Sequence, residues 1–166
     1  MNLLFIGAGK MASALAGGLL KKNVFPHDNI WACDISATAR EQFTSKTGLP
    51  CAESPDALIA KADVLILAIK PQVAQTIAQN LSPRKPDALI ISICAGISIL
   101  KLRQWFATGR IVRVMPNTPL MVGQGASCYA LGSESDEAAA ALSDKIFSAL
   151  GKAWRVSEDL LDAVTA

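Results

Sequence analysis

Apolar residues in this chain come as short runs, separated by stretches whose apolar positions recur at helical spacing. Leu3–Ile6, Ile30–Cys33, residues 64–69, Leu89–Ser92 and residues 111–115 are runs of the first kind. Such runs suit strands buried on both faces of a parallel sheet. Between them, residues 11–20 read as a helix with Met11, Leu15, Leu19 and Leu20 near one face. Ser36 is placed to cap a helix that runs through Ala39 and Phe43 to Gly48. Cys51 and Ala52 suit a short third strand, and Ser54-Pro55-Asp56 reads as the start of a brief helix ending near Ala62. Residues 73–81 read as a helix followed by a break at Ser82-Pro83, and Ser98 as the cap of a helix through Leu100, Leu102 and Phe106. Further on, the pattern predicts a strand over 127–130, a helix over 137–150 closed by Gly151, and a last strand over 153–156. Ser157 then opens an acidic-headed helix, Glu158-Asp159-Leu160-Leu161-Asp162-Ala163.

The alternation predicts an α/β fold: a Rossmann-type doubly wound, mostly parallel sheet with helices on both faces. Ligands of such sheets bind beyond the carboxyl ends of the strands. Five strand exits carry unusual sequence: residues 7–11, Asp34, residues 68–71, residues 93–96 and residues 115–119. All five are expected to face one crevice.

The first exit, Gly7-Ala8-Gly9-Lys10-Met11-Ala12, fits G-x-G-x-x-A between a strand and a helix. Gly7 permits the tight turn, Gly9 lets a pyrophosphate approach the backbone, and Ala12 lets the helix pack close to the sheet. The helix N-terminus offers unpaired N–H groups to phosphate. Asp34 ends the second strand, 22 residues beyond Ala12, where a carboxylate can bond a ribose hydroxyl. The plainer alternative is a ligand-free turn, with Asp34 capping the next helix.

At Ala68-Ile69-Lys70-Pro71 a lysine directly follows a buried strand, with a proline behind it. Lys70 is expected near phosphate or ribose, in an irregular start; alternatively it points to solvent and Pro71 simply opens a helix. Ile93-Cys94-Ala95-Gly96 is small enough for a flat ring to pass close to the backbone. In Met115-Pro116-Asn117-Thr118-Pro119, two prolines frame an amide and a hydroxyl suited to a carboxamide or carboxylate, unless both bond their own backbone.

With 166 residues, 51% hydrophobic and 18% charged, the chain supplies the core of one domain, and its +2 net charge shows no basic cluster for nucleic acid. No apolar run reaches membrane-spanning length, and the N-terminus lacks the basic region and cleavage site of a signal peptide. Cys33, Cys51, Cys94 and Cys128 are spaced as buried free thiols of a reducing, cytoplasmic compartment. One histidine, His27 in a loop, leaves no metal set and no nucleophile–base pair. Chemistry here would be carried by a cofactor.

Together these motifs resemble pyrroline-5-carboxylate reductase. The resemblance runs in order through residues 5–12, 62–71, 92–97, 113–119 and 158–166. It implies hydride transfer from NADP(H) or NAD(H) to the imine carbon of pyrroline-5-carboxylate, giving L-proline, the last step of proline synthesis. It places Gly7, Ala8, Gly9, Lys10 and Met11 around the pyrophosphate, and Ala68, Ile69, Lys70 and Pro71 beside the adenosine ribose and the nicotinamide half. Ile93, Cys94 and Ala95 would line the nicotinamide pocket, with Asn117 and Thr118 near it. It also implies a helical C-terminal dimerisation domain that supplies most substrate contacts. On that reading residues 1–156 are the dinucleotide-binding domain and residues 157–166 begin the helix leading onward. The piece alone would bind cofactor with little turnover. Leu160, Leu161 and Val164 are then expected to be exposed.

Two residues depart from the family pattern. Asp34 stands where a neutral or basic residue is more usual, which favours NADH, with Arg40 close enough to compensate. Lys10 stands where an uncharged amide is more usual. Two other readings fit the same residues: the nucleotide domain of a β-hydroxyacid-dehydrogenase-like reductase, and a non-catalytic dinucleotide-sensing module.

Overall fold

The computed structural model describes residues 1–81 and 84–163. Its strands are β1 (Leu3–Ile6), β2 (Ile30–Cys33), β3 (Cys51–Ala52), β4 (Val64–Leu67), β5 (Leu89–Ser92), β6 (Ile111–Pro116), β7 (Gly125–Leu131) and β8 (Gly151–Arg155). The helices are α1 (Lys10–Lys21), α2 (Ala37–Thr47), α3 (Asp56–Ile59), α4 (Pro71–Asn80), α5 (Ile99–Phe106), α6 (Glu137–Ser148) and α7 (Glu158–Ala163).

Successive side chains of a strand point to opposite faces, so each apolar run feeds two cores at once. Leu3 and Phe5 of β1, with Val64 and Ile66 of β4, pack under α1, α2 and α6. Leu4 and Ile6, with Leu65 and Leu67, pack under α3, α4 and α5. The faces of the helices follow the same logic. Leu15 and Leu19 of α1 are fully buried, joined by Ala12 and Ala16. Burying each leucine contributes about 2 kcal/mol. The Phe5 and Phe43 rings meet at 6.4 Å between β1 and α2.

The strands lie in the order β3-β2-β1-β4-β5-β6-β7-β8. From β3 to β6 every pairing is parallel. β7 returns antiparallel to β6, because the link between them is too short for a crossover helix. The sheet is therefore the expected doubly wound, mostly parallel one. Caps also fall where expected: Ser36 accepts from the Ala39 N–H, Ser98 from the Lys101 N–H, and Gly48 closes α2 in the left-handed region.

Two local expectations change. α4 starts at Pro71, with Lys70 as its N-cap, so this exit is a regular helix start rather than an irregular one. Gly151 opens β8 instead of merely closing α6.

The last helix differs more. Arg113 of β6 is only 4% exposed. Its Nη1 donates to Glu158 Oε1 at 3.2 Å, and its Nη2 bonds Asp162. Glu158 Oε1 also accepts the Ile99 N–H at 2.6 Å. A buried guanidinium without partners would cost several kcal/mol, so α7 is held on the sheet by the charge beneath it. Leu161 is consequently fully buried, against expectation, while Leu160 is 49% exposed as expected. Val164 lies outside the described residues.

Candidate functional site

The chain runs from β1 outward through β2 and β3, then returns to pair β4 with the other side of β1. That reversal opens a crevice above the carboxyl ends of β1 and β4. Gly7 leaves β1 with φ +99°, and its N–H donates to the Cys33 carbonyl at 2.8 Å. A Cβ on Gly7 would lie 2.4 Å from the Ala68 carbonyl oxygen, so the β1 and β4 exits pack directly together. A Cβ on Gly9 would meet nothing within 4 Å. Gly9 is the N-cap of α1, which has no side-chain cap and no acidic residue in its first turn. The start of α1 thus has no side-chain cap, and the space beside Gly9 is open, an arrangement suited to an anion.

Asp34 ties this turn to the next exit. Its Oδ2 accepts the Ala8 N–H at 2.8 Å, and its Oδ1 accepts the Ser36 N–H at 2.9 Å. It is not the cap of α2; Ser36 is. Each carboxylate oxygen keeps a lone pair for a further donor.

The resulting cleft has a volume of about 740 Å³. Of the residues singled out in the sequence, Gly7, Gly9, Asp34, Ala68, Ile69 and Lys70 line it. Ala8 is buried, and the N–H it donates is spoken for by Asp34. Lys10 is exposed and Met11 half-buried at the start of α1, and Pro71 begins α4. None of these last three lines the cleft.

Sequence reasoning missed Ile35, Glu53, Asp56, Val73 and Ile77, all of which line it too. Two signals were available. Ile35 is a lone large apolar residue in a polar loop and is 89% exposed. Val73 and Ile77 are four apart on α4, one face of a helix. Glu53 carries no local signal; it arrives through the pairing of β3 with β2.

The other two exits lie on the same edge but outside the lining of this cleft. After β5, half-buried Ile93 and exposed Ala95 flank Cys94. The Cys94 thiol lies 3.6 Å and 3.4 Å from the Leu67 and Ile69 carbonyls, and burial pushes its pKa up. Cys33, at the end of β2, is pushed to about 12 by burial, so neither thiol is poised as a nucleophile. After β6, exposed Asn117 accepts the Ala126 N–H through Oδ1 at 2.9 Å, a bond to β7 rather than to its own turn. Thr118 opens a short 3-10 turn over Thr118–Val122 and is exposed.

A larger depression, about 910 Å³, lies between α1 and the β7–β8 side, against Lys21, Lys22, Met121, Val122 and Trp154. None of the strand-exit residues lines it. His27 is exposed, bonded to Asp28 and the Gly48 carbonyl, and away from the cleft. Among the described residues no cluster of three or more His, Cys, Asp or Glu could hold a metal ion, and no helix is long and apolar enough to cross a membrane.

Strand order, glycine turn and uncapped helix define a Rossmann-type α/β domain with its cleft at the topological switch point. The chain belongs to the family described as NADP oxidoreductase, coenzyme F420-dependent, whose model matches residues 2–96. Over 165 residues it is 36% identical to pyrroline-5-carboxylate reductase of Pisum sativum, covering 99% of this chain and 60% of that protein. Over 168 residues it is 40% identical to the pyrroline-5-carboxylate reductase of Pseudomonas aeruginosa, covering 99% and 61%. Among solved structures, pyrroline carboxylate reductase of Plasmodium falciparum with NADP bound superimposes with a TM-score of 0.88 at 31% identity, over 99% of this chain and 61% of that one. The resemblance read from the motifs thus extends over nearly the whole chain. This chain spans about three fifths of the length of the curated relatives it matches.

Proposed function

We propose that this chain is the cofactor-binding part of an NAD(P)H-dependent reductase that converts 1-pyrroline-5-carboxylate to L-proline. The observation that carries the reading is similarity to pyrroline-5-carboxylate reductases along 99% of the chain, combined with an open anion-ready turn at Gly7 and Gly9. The residues fit a dinucleotide. The free N–H groups of α1, with Ala8, Lys10 and Met11 alongside, suit the pyrophosphate. The cleft between Asp34 and Ile69 suits the adenosine half, with Lys70 and Pro71 at its edge. Ile93, Cys94, Ala95, Asn117 and Thr118, at the exits of β5 and β6 on the same sheet edge, would then be the residues nearest the nicotinamide half.

When bound, the dihydronicotinamide supplies a hydride to the carbon of the substrate C=N bond while the nitrogen takes a proton. The chain's own share is to bind and orient. Residues 1–156 form the dinucleotide-binding domain in this reading, and residues 157–166 lead into a helical part that dimerises and completes the substrate site. The working location is the cytoplasm.

The test has two stages. Fluorescence titration of the purified chain with NADH and NADPH is expected to show saturable binding. Joining the chain to the C-terminal remainder of the Pseudomonas aeruginosa relative is expected to restore pyrroline-5-carboxylate-dependent oxidation of the cofactor. Binding without turnover in that chimera would favour a dinucleotide-sensing module instead.

A further inference from the structure

Arg40 does not itself line the 740 Å³ cleft, but the three residues it contacts, Asp34, Ile35 and Glu53, all do. Arg40 of α2 donates from Nη1 to the Asp34 carbonyl at 2.9 Å and to the Ile35 carbonyl at 3.0 Å. Its Nη2 lies 3.7 Å from Glu53 Oε2. The guanidinium therefore straps the loop after β2 to the segment after β3, and its charge is offset by Glu53. The Arg40 side chain is 23% exposed, while that of Glu53 is 76% exposed. Glu53 can thus be altered without opening the core.

Beyond the Arg40–Glu53 pair, the charges at the cleft are unbalanced. Asp34 and Asp56 line it as acids, against one basic lining residue among those described, Lys70. A ribose with a free 2′-hydroxyl can donate to the spare lone pair of the Asp34 carboxylate. A 2′-phosphate brings about two negative charges to the same acids, and among the described lining residues there is no guanidinium to receive them.

We propose that Glu53, by holding Arg40 in the loop strap, makes this cleft select the dinucleotide with an unphosphorylated 2′-hydroxyl, NADH over NADPH. Asp34 supplies the attraction, and Glu53 engages the Arg40 guanidinium that would otherwise offset the repulsion. The inference rests on the dinucleotide reading of the cleft given above.

ADP-ribose and 2′-phospho-ADP-ribose are the probes, because both lack nicotinamide and report only the adenosine end. Calorimetric titration of the unaltered chain is expected to favour ADP-ribose by about 10-fold or more. In Glu53→Gln the ratio of the two affinities should narrow by at least about 5-fold, through tighter binding of the phosphorylated probe. Arg40→Gln should weaken both probes by the same factor, since the strap shapes the loop for either. Equal or tighter binding of the phosphorylated probe by the unaltered chain overturns the proposal. So does an unchanged ratio in Glu53→Gln, or a selective loss of the phosphorylated probe in Arg40→Gln. If neither probe binds, the dinucleotide reading itself fails and takes this inference with it.

Discussion

The exits of β1 and β6 stand on the same edge of the sheet and are shaped by opposite means. At Gly7 the backbone is fixed by missing bulk: φ is +99°, and the Ala68 carbonyl occupies the space a side chain would need. At Asn117 it is fixed by added groups, Pro116 and Pro119 on either side and one amide bond to the Ala126 N–H. The first turn is packed between two parallel strands and opens onto a walled cleft. The second leads into a turn where Met121 and Val122 are 46% and 77% exposed. A turn made by close approach needs its neighbours already in place, so it belongs to the core. A turn made by its own side chains can sit at a rim and still hold its shape.

The sharpest way to break this contrast is Gly7→Ala. Strain at positive φ together with overlap on the Ala68 carbonyl is expected to cost about 3 kcal/mol in urea unfolding. A loss below about 1 kcal/mol would mean that the turn has slack and that the close approach is not what shapes it. Asn117→Ala is the matching change at the other exit. Losing one hydrogen bond is expected to cost about 1 kcal/mol. Exchange at the Ala126 amide should quicken, while the amides of Gly7 and Ala8 stay as protected as before. If the Gly7 turn loosened too, the two exits would be one cooperative unit.

The smallest effect lies at the opposite edge and serves as a control. Asp63, just before β4, is held below the usual carboxylate range by its bond from Lys85. Partial burial works against that, and the Asn2 N–H adds to it. Because the folded state lowers this pKa, the pair stabilises the protein above the ordinary carboxylate pKa, and the gain is lost as pH falls through the lowered value. Asp63→Asn should flatten the acid side of a plot of melting temperature against pH without altering cofactor-probe binding near neutrality. An unchanged acid slope would count against the pair.

Much of this is legible in the sequence alone. The strand–helix alternation placed β1, β2, β4, β5 and β6, because runs buried on both faces leave a signal that local periodicity carries. The Ser36 and Ser98 caps were legible for the same reason: a cap is chemistry within four residues. Gly7 and Gly9 announced the turn. Less legible was the difference between the two ends of the sheet edge. Lys70-Pro71 looked irregular in sequence, yet proline at the first helical position is among the plainest of helix starts. Leu161 looked destined for exposure, because nothing near it in sequence shows the buried Arg113 that pins its helix.

By itself, then, the sequence determined which segments are strands and helices, where the chain must turn, and that one sheet edge would gather the unusual residues. Only the tertiary structure decided who meets whom across that edge. Asp34 reaches the Ala8 N–H from 26 residues away, Arg113 reaches Asp162 from 49, and Arg40 finds Glu53 only because β3 lies beside β2. The physical reason is one of range. Periodicity and capping are set by neighbours along the chain, whereas charge pairing depends on strand order, which forms only when both faces of the sheet are buried.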